Sequence, residues 1–126
     1  MLHVIESLKP VREVEKDFSA AAQRHKFGVL GVHDLRQKMN EKGVAFERDC
    51  LVVEVCNPGQ AQQVLNGAMA ISTALPCRVS IYTESGKTKL ATLKPTALLE
   101  LFKVPELKAV AAEVERELFA AMSEAA

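Results

Sequence analysis

The chain has 126 residues, of which 48% are hydrophobic and 25% are charged, a composition typical of a folded globular domain. Its length predicts a single domain, residues 1–126, with a core large enough to fold without disulfides. Sixteen Lys and Arg side chains balance sixteen Asp and Glu side chains, which excludes the basic surface that nucleic-acid binders need.

Apolar runs reach only about six residues, too short to cross a bilayer, and the N-terminal segment carries neither a basic start nor an apolar signal region. We therefore predict a cytoplasmic protein with no membrane partner and no nucleic-acid partner. The cysteines are odd in number, Cys50, Cys56 and Cys77, and in a chain of this size they predict free thiols.

Five segments carry helical spacing or helix-end signals. Asp34 with Gln37 forms a capping-box pattern, and Asn57 with Pro58 matches an N-cap and a first helical position. The predicted helices are Pro10 to His25, Leu35 to Lys42, Pro58 to Asn66, Pro95 or Thr96 to Phe102, and a longer one from Pro105 whose end frays after Ser123.

Five other segments read as strands. The segment Phe27 to His33 is apolar at both odd and even positions, which predicts a strand covered on both faces. The turn Glu84 to Lys87 predicts an antiparallel hairpin between the two strands that flank it. The predicted strands are His3 to Ile5 at an edge, Phe27 to His33, Leu51 to Cys56, Cys77 to Tyr82, and Lys89 to Leu93.

The resulting order is (β)αβαβαββαα. Strands separated by single helices usually join one sheet through right-handed crossovers, whereas the hairpin contributes an antiparallel pair. We therefore predict an α+β fold, with a mixed sheet of four to five strands and helices packed on it.

Cys56 ends one predicted strand directly before a helix, where the positive end of the helix dipole favours a thiolate. Such a thiol could be a nucleophile, a redox group or a metal ligand, and it fits equally well as a small buried hydrophobe. Cys77 could pair with Cys56 only if their strands run antiparallel, which the sequence leaves open.

His33 and Asp34 occupy the same kind of strand end as Cys56 and Asn57. Ends of strands in βα units face a common crevice, so we expect these side chains to meet there. Such a group could perform thiol or acyl-transfer chemistry. Two N-caps and a partly exposed imidazole are the structural alternative.

Glu54 lies on an apolar strand, where an unpaired buried carboxylate would be costly. We predict that it forms a salt bridge with Arg78 or Arg48 rather than acting as a general base. No GxGxxG or GxxxxGKS motif occurs, so the sequence predicts no nucleotide cofactor.

Two motifs resemble the domain of unknown function 302 family. The first is Glu54-Val55-Cys56-Asn57-Pro58, and the second, about twenty residues later, is Leu75-Pro76-Cys77-Arg78-Val79. The pattern from Phe27 to Gly43 extends this resemblance over almost the whole chain. It implies a small bacterial or archaeal α+β domain, similar to members that form homodimers, without an established activity.

The leading hypothesis is a non-enzymatic homodimeric module that binds a small ligand beside the Cys-Asn-Pro turn. An anionic ligand fits because helix N–H groups and an arginine both favour negative charge. The predicted ligand-binding residues are Cys56, Asn57, Pro58, Cys77, Arg78, His33 and Asp34.

Three alternatives stay open. A thiol redox protein or cysteine-dependent enzyme would use Cys56 as a catalytic residue, with Cys77 as its partner. A transition-metal protein would use Cys56, Cys77 and His33. A structural protein would bind another chain through the apolar stripe of the last helix. No motif identifies a reaction, and no cofactor is predicted.

Overall fold

The computed structural model describes every residue from Met1 to Ala126, and its five strands form one sheet. The strands are β1 (Leu2–Ser7), β2 (Gly28–Asp34), β3 (Cys50–Cys56), β4 (Cys77–Glu84) and β5 (Lys87–Leu93). They are arranged in the order β1-β5-β4-β3-β2.

Five α-helices connect and cover these strands. They are α1 (Val11–Arg24), α2 (Leu35–Glu41), α3 (Pro58–Gly67), α4 (Pro95–Glu100) and α5 (Lys108–Ala125). Two short 3₁₀ helices, Met69–Ala74 and Pro105–Leu107, follow α3 and precede α5 respectively. No helix is long and apolar enough to cross a membrane.

The α+β class is confirmed, but the predicted mixed sheet is wrong because all neighbouring strands run antiparallel. The expected crossovers do not occur between β2 and β3 or between β3 and β4. Each of these connections therefore re-enters the sheet at the end from which it left.

The strand β2 is not covered on both faces, contrary to the prediction. It lies at the edge of the sheet, pairs only with β3, and has a register shift between Val29 and Gly31. Leu30 lies at this irregularity and is 62% exposed. The apolar run therefore marks an irregular edge strand.

One face of the sheet packs against α1 and α5, which also pack against each other. Alternating residues of β3 and β4 point toward these helices, as strand geometry requires. They join a core of 16 buried residues that includes Phe18, Leu118 and Met122 from the helices. We call this group the main core.

A second cluster of five buried residues lies beside the ends of β3 and β5 and the start of β4. It is built from α3, α4, α5 and both 3₁₀ helices, and we call it the end cluster. Its members are Val64, Ile71, Leu99, Leu107 and Ala111.

Candidate functional site

A cavity of about 440 Å³, which we call the large cavity, lies between the end cluster and the sheet strands β4 and β5. Of its 19 lining residues, 14 are hydrophobic. Leu98 of α4 and Phe102 of the turn that follows it form one wall, and the segment Ala74–Arg78 forms another. Its volume and apolar lining are those of a small-molecule site.

Polar groups in the cavity follow one face of β4. Arg78, Ser80 and Tyr82 alternate along the strand and all line the cavity. Neither the Ser80 nor the Tyr82 hydroxyl has a hydrogen-bond partner within the protein. Thr92 also lines the cavity, but its hydroxyl donates to the Arg78 carbonyl at 2.7 Å.

Arg78 belongs to a row of charged groups across the sheet. Its Nε lies 3.3 Å from Glu54 Oε2, and Glu54 Oε1 lies 2.6 Å from His33 Nε2. Lys38 Nζ is 2.9 Å from His33 Nδ1. Since an ammonium can only donate, Nδ1 accepts and His33 donates from Nε2 to Glu54. The hydrogen bond from His33, aided by the positive charge of Arg78, holds the pKa of Glu54 below its usual value.

The predicted salt bridge of Glu54 is therefore confirmed for Arg78. Arg48 instead approaches Glu84 at 3.9 Å and donates to the Thr83 carbonyl at 2.7 Å. Register explains this choice, because Glu54 lies directly opposite Arg78 in the pairing of β3 with β4.

The Cys-Asn-Pro turn has a structural role in helix capping. Asn57 Oδ1 accepts a hydrogen bond from Gln60 N at 3.0 Å, and Pro58 lies in the first turn of α3. Beside the turn is a second cavity of about 40 Å³, lined in part by Cys56, Asn57 and Cys77. Since one liquid water occupies roughly 30 Å³, this space is too small for a metabolite.

The strands that carry Cys56 and Cys77 run antiparallel, which brings the two thiols to one end of the sheet. However, the register places Val55 opposite Cys77. Neighbouring residues of a strand point to opposite faces, so Cys56 shares its face with Glu54 rather than with Cys77. A disulfide requires facing Cβ atoms, which this register does not provide.

Neither thiol has the acidity of an activated nucleophile. Burial raises the pKa of Cys56, and burial followed by the nearby Cys56 raises the pKa of Cys77 to about 11. Loss of hydration therefore opposes ionisation of both thiols. The predicted thiol chemistry finds no support in either the register or the acidity.

The expected common crevice for His33, Asp34, Cys56 and Asn57 is wrong. Because β2 and β3 are antiparallel, Gly28 lies opposite Cys56 and Asp34 lies opposite Leu51. Five strand residues separate Asp34 from Cys56, which is about 17 Å along the sheet. Asp34 instead caps α2 by accepting from Gln37 N at 3.0 Å, and it also pairs with Arg12.

The hypothesis of a metal site formed by Cys56, Cys77 and His33 is not supported either. No group of three or more His, Cys, Asp or Glu side chains is arranged to hold a metal ion. His33 instead forms a hydrogen bond with Glu54 on the sheet face.

The predicted site residues thus divide among three places. Cys77 and Arg78 line the large cavity, whereas Asn57 and Pro58 begin α3. His33 reaches the cavity only through Glu54 and Arg78. Ser80, Tyr82 and the α4 side chains were not among the predicted site residues. The alternation of β4 was the available signal for the two hydroxyls, since it places them on the face of Arg78.

Comparison with known proteins identifies the family. The family model described as "Domain of unknown function DUF302" matches residues 3–125. A crystal structure of an uncharacterised conserved DUF302 protein from Bacillus stearothermophilus is similar, with a TM-score of 0.94 and 31% sequence identity. The match covers 99% of this chain and 98% of the other. A search of curated proteins finds no match. The predicted resemblance is confirmed, and the chain belongs to the DUF302 family of domains of unknown function.

Proposed function

We propose that this protein is a cytoplasmic, non-enzymatic module that binds a small, largely apolar molecule in the cavity beside the end cluster. The main support is the cavity itself, with a volume of about 440 Å³ and 14 hydrophobic lining residues out of 19. Its volume equals that of about 15 liquid waters, which is room for a ligand of on the order of ten non-hydrogen atoms.

The proposed ligand lies at the second family motif, not beside the Cys-Asn-Pro turn as the sequence predicts. Cys77 and Arg78, at the start of β4, line the large cavity, while Asn57 is occupied as a helix cap. A binding role fits better than a catalytic one because the cavity pairs no activated nucleophile with a general base. Its one thiol, Cys77, has a pKa of about 11 and is therefore protonated at neutral pH.

Octan-1-ol, an uncharged chain of suitable size, is the probe for this proposal. We expect isothermal titration calorimetry to detect one site per chain, with a dissociation constant between micromolar and millimolar. Ala91→Leu adds three carbon atoms to the cavity wall and should abolish binding.

Ala112→Leu is the matched control, since Ala112 is exposed on α5 and does not line the cavity. It should bind octan-1-ol like the unmodified protein. Absence of binding in the unmodified protein, or equal binding by both variants, would contradict the proposed site.

We also propose that a second copy of the chain covers the sheet face opposite α1 and α5, beside the ligand cavity, whose lining includes Leu2 and Leu93. Leu2, Val4 and Leu93 are 60%, 43% and 46% exposed there, on the neighbouring strands β1 and β5. Glu6 and Lys87 border this patch. Glu6 and Lys87 pair with each other at 3.2 Å within one chain, and because a twofold axis superimposes the patch on itself, the pairs of two copies can also meet with opposite charges facing.

Light scattering after size-exclusion chromatography tests this dimer. We expect a mass of two chains, and we expect Val4→Lys to yield one chain because it introduces a charge into the apolar patch. Leu8→Lys, at a site that is 92% exposed beyond the end of β1, is the control and should stay dimeric. A single-chain mass for the unmodified protein at tens of micromolar would disprove the dimer.

A further inference from the structure

We propose that the ligand of the large cavity is an apolar monocarboxylic acid whose carboxylate binds Arg78, an inference that rests on the binding function proposed above. Arg78 lines the cavity, and its side chain is 54% exposed. Its only carboxylate partner is Glu54, approached through Nε at 3.3 Å. A guanidinium carries five N–H donors, so donors remain for a second carboxylate in the bidentate geometry that arginine favours.

The charges around Arg78 select a monoanion. Glu54 is ionised at neutral pH, since the hydrogen bond from His33 and the charge of Arg78 keep its pKa low. The row also contains Lys38, whose ammonium lies 2.9 Å from His33. Two cations and one carboxylate leave a single net positive charge. A phosphate monoester with a charge of about −2 would exceed it and would be repelled by Glu54.

The rest of the cavity favours a ligand that is apolar apart from its carboxylate. Beyond Arg78 the walls are mainly apolar, with Leu75, Leu98 and Phe102 among them. A hydrocarbon chain or ring of about eight carbons, with its carboxylate at Arg78, fills this space without burying a second charge. The free hydroxyls of Ser80 and Tyr82 lie along the same strand face and can each bond one edge of such a ligand.

Three probes of equal chain length test the inference: octanoate, octan-1-ol and octylamine, titrated calorimetrically into the full chain at pH 7. We expect octanoate to bind about tenfold more tightly than octan-1-ol, the usual worth of one charge-assisted hydrogen bond, and octylamine to bind most weakly. Arg78→Met, which keeps the aliphatic stem, should weaken octanoate about tenfold and leave octan-1-ol within about twofold.

Glu54→Gln should change the octanoate affinity in the opposite direction. It removes the competing carboxylate while an amide oxygen can still accept from His33, so octanoate should bind about threefold more tightly. The Arg78 side chain is half-exposed and the Glu54 side chain is 19% exposed, so thermal midpoints close to that of the unmodified protein verify that both variants fold.

The two proposals fail in different ways. If octan-1-ol binds as tightly as octanoate, or if Arg78→Met weakens both equally, the acid specificity is wrong while the cavity stays a binding site. Weaker octanoate binding by Glu54→Gln would likewise overturn the carboxylate position at Arg78. If octan-1-ol does not bind the unmodified protein, the binding function itself is wrong.

Discussion

The main core and the end cluster differ in how completely they are filled. The main core joins 16 buried residues between the sheet and two long helices. The end cluster has five, contributed by short helices, and a cavity of about 440 Å³ adjoins it. Protein interiors normally pack without voids of that size. Stability therefore resides mainly in one part of the molecule, and space for a ligand lies in the other.

The difference follows from the lengths of the helices. The helices α1 and α5, with 14 and 18 residues, lie along the same face of the sheet. Each presents a continuous apolar stripe to it. The helix α4 has only six residues and can cover only part of the strand ends. Short helices thus close the end cluster incompletely, and the gap between them is the candidate site.

Phe18→Ala should have the largest effect on stability. Phe18 is fully buried in the main core, and removing a buried phenyl group costs about 3–5 kcal/mol. Urea unfolding followed by circular dichroism measures this loss. A cost below about 1 kcal/mol would mean that the main core is not the principal source of stability.

Leu99→Ala should cost less, about 2 kcal/mol, at the low end for a buried leucine. Leu99 belongs to the end cluster and already faces the cavity, so its loss creates little new void. The same urea experiment provides the measurement. If this variant were as destabilising as Phe18→Ala, the proposed difference between the two regions would disappear.

Asn57→Ala should cost about 1 kcal/mol because it removes the N-cap of α3. Octan-1-ol affinity should stay within about twofold, since Asn57 does not line the large cavity. Asn57→Asp, which retains an accepting oxygen, is the control for capping. If ligand binding were lost while stability stayed unchanged, the binding site would lie at the Cys-Asn-Pro turn instead.

His25→Gln should have the smallest effect, and one that depends on pH. His25 joins the end of α1 to α5 by bonding Glu117 at 2.5 Å and also Glu124. The hydrogen bond to Glu117, followed by that to Glu124, raises the pKa of His25 above 6.5. Its stabilising contribution is therefore complete below about pH 6.5 and is lost as the pH rises through the raised value.

Protonation of Glu124 weakens the same interaction at low pH. The hydrogen bond from His25 lowers the pKa of Glu124 below 4.5, so its contribution is present above about pH 4.5 and is lost in stronger acid. We expect His25→Gln to lower the melting temperature by about 2–4 °C near pH 5.5 and by less at pH 8.5. An equal decrease at both pH values would exclude a charged His25.

Local signals in the sequence predicted the elements well, because their causes are local. The side chains of Asp34 and Asn57 cap the helices that their spacing to Gln37 and Gln60 indicates. Strand direction is not a local property, since periodicity is the same in parallel and antiparallel strands. For that reason the expected crevice joining Asp34 to Cys56 was wrong.

The candidate site was predictable only in part for the same reason. Cys77 and Arg78 stand in a family motif, and the alternation of β4 places Ser80 on the same face as Arg78. The opposite wall comes from α4, and its position depends on tertiary packing that no local pattern specifies. An apolar residue such as Leu98 reads as core in the sequence whether its neighbour is protein or a cavity.

The pairing of β1 with β5 has a consequence for how the chain folds. Leu2 is the register partner of Leu93, so β1 finds its only strand partner near the end of the chain, and α1, which also packs on the middle strands, completes its packing only with α5. Contacts so distant in sequence carry a high cost in loop entropy and slow the folding of a domain. During synthesis on the ribosome, β1 lacks its partner strand until almost the whole chain has emerged, and the part of α1 that packs on α5 stays uncovered for the same time. Those segments are therefore the ones a chaperone would meet first.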